Sequence, residues 1–271
     1  MAPYADRDAP SPGGFPVVAP TYDAAVRTLP PSYLETRDAL HRVASHVMAR
    51  AQFAATGRLG LRATPGGFAT IQFGEAQERL RISGTCLVHE SATPSATRTV
   101  GLAGASLHEL ARFAGLDLDE DFSVGAETPS PGDVDQPLTV ERMAVGLVGD
   151  WYGLTAQALD RLVAGRPHAG ATIAQLWPEH FDLALDLAYD DTAPDQRRAN
   201  LGGAPGDGFH AEPYLYVGPW TSDRPGAPGF WNAPFGAFVS YAEVSAAADP
   251  VAAAVAFFES GLARLAQPPG V

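Results

Sequence analysis

Apolar residues recur at helical spacing in three long windows and at alternating spacing in several short ones. From Ser32 to Gly57, Leu34, Leu40, Val43, Val47 and Met48 line one stripe. Pro30 and Pro31 precede it, and Ser32 with Glu35 has the spacing of a capping box, so a helix is predicted to open there and stop before Gly57. A second long helix is predicted over Thr139–Gly165, with Met143, Leu147, Trp151, Leu154, Leu159 and Leu162 available to a core. A third opens at Asp249-Pro250, offers Val251, Val255, Phe258, Leu262 and Leu265, and ends at Pro268-Pro269. Ser106 and Glu109 form another capping box, predicting a short helix up to Gly115.

The alternating segments read as strands. Residues 58–90 give short strands around a turn at Thr64–Gly67 and a break at Gly84. The strongest pair lies between Trp177 and Trp220. There Phe181, Leu183, Leu185 and Leu187 share one face, and His180, Asp182, Ala184 and Asp186 the other. Further on, Phe209, Ala211, Pro213, Leu215 and Val217 alternate with His210, Glu212, Tyr214 and Tyr216. These two segments are expected to pair as an antiparallel hairpin, with Tyr189–Gly208 as a long loop between them. Pro213 cannot donate to a ladder and marks an edge, a bulge or a strand start. Strands are grouped rather than alternating with helices. The predicted fold is therefore α+β, mainly an antiparallel sheet with helices packed on it. A Pro- and Gly-rich extended tail over residues 1–31 precedes a single domain over 32–271.

Charge narrows the function. Eighteen basic and 31 acidic residues leave a net charge of −13, which argues against nucleic acid and anionic membrane as partners. All the basic residues are arginine, so Schiff-base and P-loop lysine chemistry is excluded. The one cysteine, Cys86, forms no intrachain disulfide and reads as a small apolar strand residue. The first residues lack the apolar core of a signal peptide, and no stretch approaches the length of a membrane span. A cytoplasmic location is expected.

The candidate chemistry sits on the expected hairpin. His180, Asp182, His210 and Glu212 would converge there if both polar faces turn the same way. Two imidazoles and a carboxylate in the order H-x-D…H match the ligand set of non-haem iron, and the same donors suit zinc or manganese. A divalent metal (Zn, Mn or Fe) with an open position would activate water, implying a hydrolase-like enzyme. Tyr214 would then supply a proton or hold an oxyanion, with Asp207 as the second catalytic residue. Asp186, Asn200 and Asp207 would orient the imidazoles, and Trp177, Trp220 and Trp231 would wall the pocket. The alternative is a metal-free small-molecule-binding or structural protein. In it the same residues pin the hairpin and its loop, or Asp182 and Glu212 serve as acid and base.

Other signals are discounted. There is no G-x-G-x-x-G, Walker A or G-x-S-x-G motif. The glycines from Gly202 to Gly208 read as a flexible turn. His108-Glu109 lacks the second histidine of a zinc helix, since position 112 is Arg. The acidic run Asp117–Asp121 lacks the glycine of an EF-hand. His41 and His46 are five apart, so they are expected on different, solvated helix faces. His89 is a candidate third imidazole, while its neighbour Glu90 points to the opposite face.

Three segments carry a resemblance: LHRVASHVMARAQFAATGRLGLRATPGGFAT, LWPEHFDLALDL, and RANLGGAPGDGFHAEPYLYVGPW with FWNAPFGA after it. Over about residues 35–265 the chain resembles an uncharacterised actinobacterial protein family. The resemblance implies one architecture over nearly the whole chain and brings no activity, cofactor or residue role. Ala204 stands where that family is expected to carry serine, which removes a hydroxyl from this position.

Overall fold

The computed structural model describes residues 28–118, 122–190 and 197–267. Most of the expected tail, residues 119–121 of the acidic run, and Pro268-Pro269 lie outside the described residues.

The chain opens with α1 (Tyr33–Val43), a π-helical turn (Ala44–Ala49) and α2 (Arg50–Thr56), one continuous rod. Then come β1 (Arg62–Thr64), β2 (Gly67–Ala69), β3 (Arg79–Ser83), β4 (Cys86–Ala92) and β5 (Ser95–Gly101). After α3 (Leu107–Phe113) and the long α4 (Arg142–Ala164) follow β6 (Gln175–Trp177), β7 (Asp182–Ala188), β8 (Arg198–Ala204) and β9 (Tyr214–Pro219). The chain closes with β10 (Ala237–Ser240), α5 (Tyr241–Ser245) and α6 (Pro250–Leu265). The strands form two five-stranded sheets, β1-β2-β3-β4-β5 and β10-β9-β8-β7-β6, antiparallel throughout, so the fold is α+β. Each sheet is a meander, because each strand pairs with its sequence neighbour. An isolated bridge between Leu61 and Leu176 joins their inner edges through hydrogen bonds of 2.8 and 3.1 Å.

The core lies under α4, which packs on β1, β2, β7 and β8 and against α1 and α6. Two glycines set the approach. A Cβ at Gly149 of α4 would sit 2.5 Å from the Gly66 carbonyl carbon in the β1–β2 turn. A Cβ at Gly203 of β8 would sit 2.3 Å from Thr155 Oγ1. Only a residue without a side chain lets backbone and helix come this close. Trp151, Tyr152, Leu154, Leu159 and Leu162 are buried from the helix side, and Leu183, Leu187, Leu201, Leu215 and Val217 from the sheet side. Full burial of such side chains contributes about 1.5–3 kcal/mol each.

Start and stop signals transfer well. The Ser106–Glu109 capping box is closed in both directions, and Asp249 accepts from the Ala252 N–H with Pro250 in the first turn. Ser32 makes no side-chain cap bond, so α1 begins without the box its spacing predicted. Leu34 and Met143, expected in the core, are exposed at helix starts where the apolar stripe has not yet met its partner.

The expected hairpin is corrected. β8 lies between the two segments, so β7 and β9 are neighbours of β8 and not of each other. Its residues Arg198–Ala204 fall within the expected loop, because Gly202 and Gly203 weaken a strand signal. The flanking segments also begin later than their alternation suggests, at Asp182 and Tyr214, so His180, His210 and Glu212 are turn residues. His41 and His46 are corrected too. Neither is solvated: His46 is buried, and His41 stacks on Phe181 with ring centroids 5.0 Å apart.

Candidate functional site

Alternation in β7 to β9 separates two faces. Leu183, Leu201, Leu215 and Val217 turn toward α4 and α6. Asp182, Ala184, Gly202, Tyr214 and Tyr216 turn the other way, with Phe238 of β10 opposite Tyr216. The candidate site is on this second face.

Its first element is the turn into β7. Phe181 adopts φ +56, a left-handed conformation that a bulky residue rarely takes. The surroundings over-determine it. The Phe181 N–H donates to the Trp177 carbonyl at 2.8 Å, and its own carbonyl accepts from the Tyr152 hydroxyl at 2.6 Å. Its ring lies flat on His41 and edge-on to Phe68 and Tyr152. The outcome is that His180 is turned outward and Asp182 is turned onto the sheet.

Asp182 is only 5% exposed. Tyr216 donates a very short hydrogen bond to its Oδ2, while Oδ1 has no hydrogen-bond partner among the described residues. Tyr216 reaches Asp182 from β9 by crossing Gly202 of β8. A Cβ at Gly202 would lie 2.9 Å from the Tyr216 hydroxyl and 2.6 Å from the Leu183 carbonyl oxygen. The glycine pair that hid β8 from the sequence is therefore what lets the tyrosine lie across it. Burial raises the Asp182 carboxyl above its ordinary value, and the Tyr216 bond and nearby His180 offset this only in part. Burial and the Asp182 charge likewise hold Tyr216 as a neutral phenol.

Asp207 organises the other half. Its Oδ1 accepts from the Phe209 and His210 N–H groups at 2.8 and 3.0 Å, and its Oδ2 accepts from the Tyr214 hydroxyl at 2.6 Å. This is an Asx-type turn that fixes the entry to β9. Phe209, His210, Tyr214, Phe235 and Phe238 pack around it as a ring cluster with centroids 5.0–6.5 Å apart. His210 Nε2 is buried there without a hydrogen-bond partner among the described residues.

The remaining residues disperse. His180 is half exposed, with Nδ1 3.2 Å from Glu127 and Nε2 3.9 Å from Glu179. Glu212 is exposed on the approach to β9, on the side of Tyr33. Asp186 pairs with Arg198, and Asn200 Oδ1 accepts from Trp220 Nε1 at 2.9 Å, so neither orients an imidazole. His89 is bonded to Glu78 at 2.9 Å in the other sheet. Trp177 and Trp220 flank the face and are 41% and 47% exposed, whereas Trp231 bonds to the Pro225 carbonyl. The four expected ligands are thus not gathered, and among the described residues no three His, Cys, Asp or Glu side chains come together to hold a metal ion. Late strand starts and the inserted β8 are the reason.

What does assemble is Asp182, Tyr216, Tyr214 and Asp207, with His180 and Glu127 alongside. Tyr214 feels the negative charges of Asp207, Asp182 and Glu127. Glu127 escaped the sequence reading: it lies over 50 positions from its partner in a Pro/Gly segment, and no spacing rule reaches that far. Comparison with protein-family models, curated proteins and solved structures finds no match.

Proposed function

We propose that this chain is a small-molecule-binding protein with a metal-free acid–base site on the polar face of the β6–β10 sheet. One observation carries the reading: Asp182 is a buried carboxyl with one oxygen held by Tyr216 and the other unpartnered. A buried carboxyl whose neutral form is favoured by burial, beside a phenol, is suited to proton transfer, and strongly perturbed groups cluster at functional sites. Tyr214 is the second hydroxyl, oriented by Asp207. Phe209, Trp177 and Trp220, each over two-fifths exposed on or beside this face, give a ligand apolar surface. The dispersal of His180, His210 and Glu212 gives the metal-dependent hydrolase reading no comparable support.

A fragment screen on protein labelled with 5-fluorotryptophan tests this by fluorine NMR. Fragments are expected to shift the Trp177 or Trp220 resonance, with the shifts weakened in Asp182→Asn and Tyr214→Phe. If fragments bind only elsewhere, or bind this face equally well in both variants, the reading is wrong.

A further inference from the structure

Deepening that reading, on which it rests, we propose that the ligand of this site is an organic cation, a protonated amine, held between the acidic groups and the aromatic rings. The charge around the site is one-sided. Glu127, Glu179, Asp182 and Asp207 all lie beside it, and His180 is the basic side chain among them. Asp207 and Glu127 act on Tyr214, and Asp207 acts on Asp182. Arg37, the guanidinium at the near end of the loop, is committed to Asp38 and to the Ala211 carbonyl. A field of this sign repels carboxylates and phosphates and attracts ammonium.

A second, independent observation asks for a donor. Asp182 Oδ1 is buried and accepts no hydrogen bond among the described residues, a deficit that costs free energy until filled. An ammonium N–H fills it with a charge-assisted bond. The rings supply the third component. Tyr214 lies 5.9–6.3 Å from Tyr216, Phe235 and Phe238, Tyr216 lies 6.0 Å from Phe235, and half-exposed Phe209 lies 5.0–5.9 Å from Tyr214, Phe235 and Phe238. Aromatic faces attract cations through the ring quadrupole, most strongly where water is excluded.

The proposal has a signature that packing alone lacks. A cation beside Asp182 favours its ionised form, so binding opposes the preference for the neutral form that burial gives it. Affinity then rises with pH through the titration of Asp182, and calorimetric heats vary with the ionisation enthalpy of the buffer.

The test is calorimetry on the full chain with butylamine and choline against butyrate, butanol and zinc chloride. Butylamine is expected to bind with proton release and more tightly than choline, which has no N–H for Asp182 Oδ1, with affinity weakened about tenfold in Asp182→Asn and in the surface variant Glu127→Gln. Butyrate and butanol are expected not to compete. If neither amine binds while fragments still shift the tryptophan resonances, the cation proposal falls and the ligand site stands. If nothing binds this face by either method, both fall. Equal binding of butyrate or butanol, or zinc binding that displaces the amine, also overturns the cation proposal.

Discussion

At residue scale, two kinds of buried titratable group act on stability in opposite senses. Burial raises the Asp182 carboxyl, so the folded chain prefers its neutral form. Its contribution is full below the unfolded carboxyl pKa of about 3.9 and is lost as pH rises through the higher folded value. Asp182→Asn is neutral at every pH, so it is expected to lose less stability than wild type as pH rises above about 4 in urea titrations. His41 and His46 run the other way. Burial lowers both, so their contribution is full above the unfolded pKa of about 6.5 and is lost as pH falls through the lower folded values. Each Nε2 is held by a carbonyl, which can only accept: His41 donates to Pro178 at 2.9 Å and His46 to Pro129 at 2.7 Å. His46→Gln keeps a donor and removes the titration, so its acid-side stability slope is expected to be shallower than wild type. An unchanged slope would show that His46 is not responsible for it.

At the scale of elements, the entry to β7 and the crossing of β8 decide the site. Tyr152→Phe in α4 leaves the Phe181 carbonyl without its 2.6 Å donor, and a buried orphan acceptor costs about 1–3 kcal/mol. The same loss is expected in chemical denaturation, together with changed resonances at His180 and Asp182. Gly202→Ala places a Cβ against the Leu183 carbonyl and the Tyr216 hydroxyl, and overpacking of this kind costs about 1–3 kcal/mol. It is also expected to move the Tyr216 ring off Asp182. A crystal structure of Gly202→Ala with the Tyr216–Asp182 bond intact would refute the crossing argument.

At the scale of the molecule, α4 is the common support. It touches strands of both sheets and two other helices, and the Leu61–Leu176 bridge ties the sheets at their inner edges. The sheets are therefore expected to unfold as one unit. A fluorophore on Cys86 in β4 and the intrinsic fluorescence of Trp177 and Trp220 beside β7 and β9 should report coincident denaturant midpoints. Gly149→Ala, which drives a Cβ into the Gly66–Gly67 backbone, should shift both midpoints together. Separate midpoints would mean that α4 does not couple the halves.

Local chemistry made much of this legible in advance. Helical stripes, a capping box at Ser106, the Asp249-Pro250 start and grouped strands determine the α+β class and the positions of α4 and α6, because each is settled within a few neighbouring residues. Alternation also placed Asp182 on the polar face of one segment and Tyr214 and Tyr216 on the polar face of another. Partner choice was decided only by tertiary structure. Nothing local in Arg198–Ala204 says that a glycine-bearing strand will slip between β7 and β9, since its stability comes from pairing on both sides. Nothing local says that Phe181 will take a left-handed turn, since Tyr152 and His41 hold it from distant helices. Those two facts scatter the histidines, bring Tyr216 over Gly202 to Asp182, and set Glu127 beside His180.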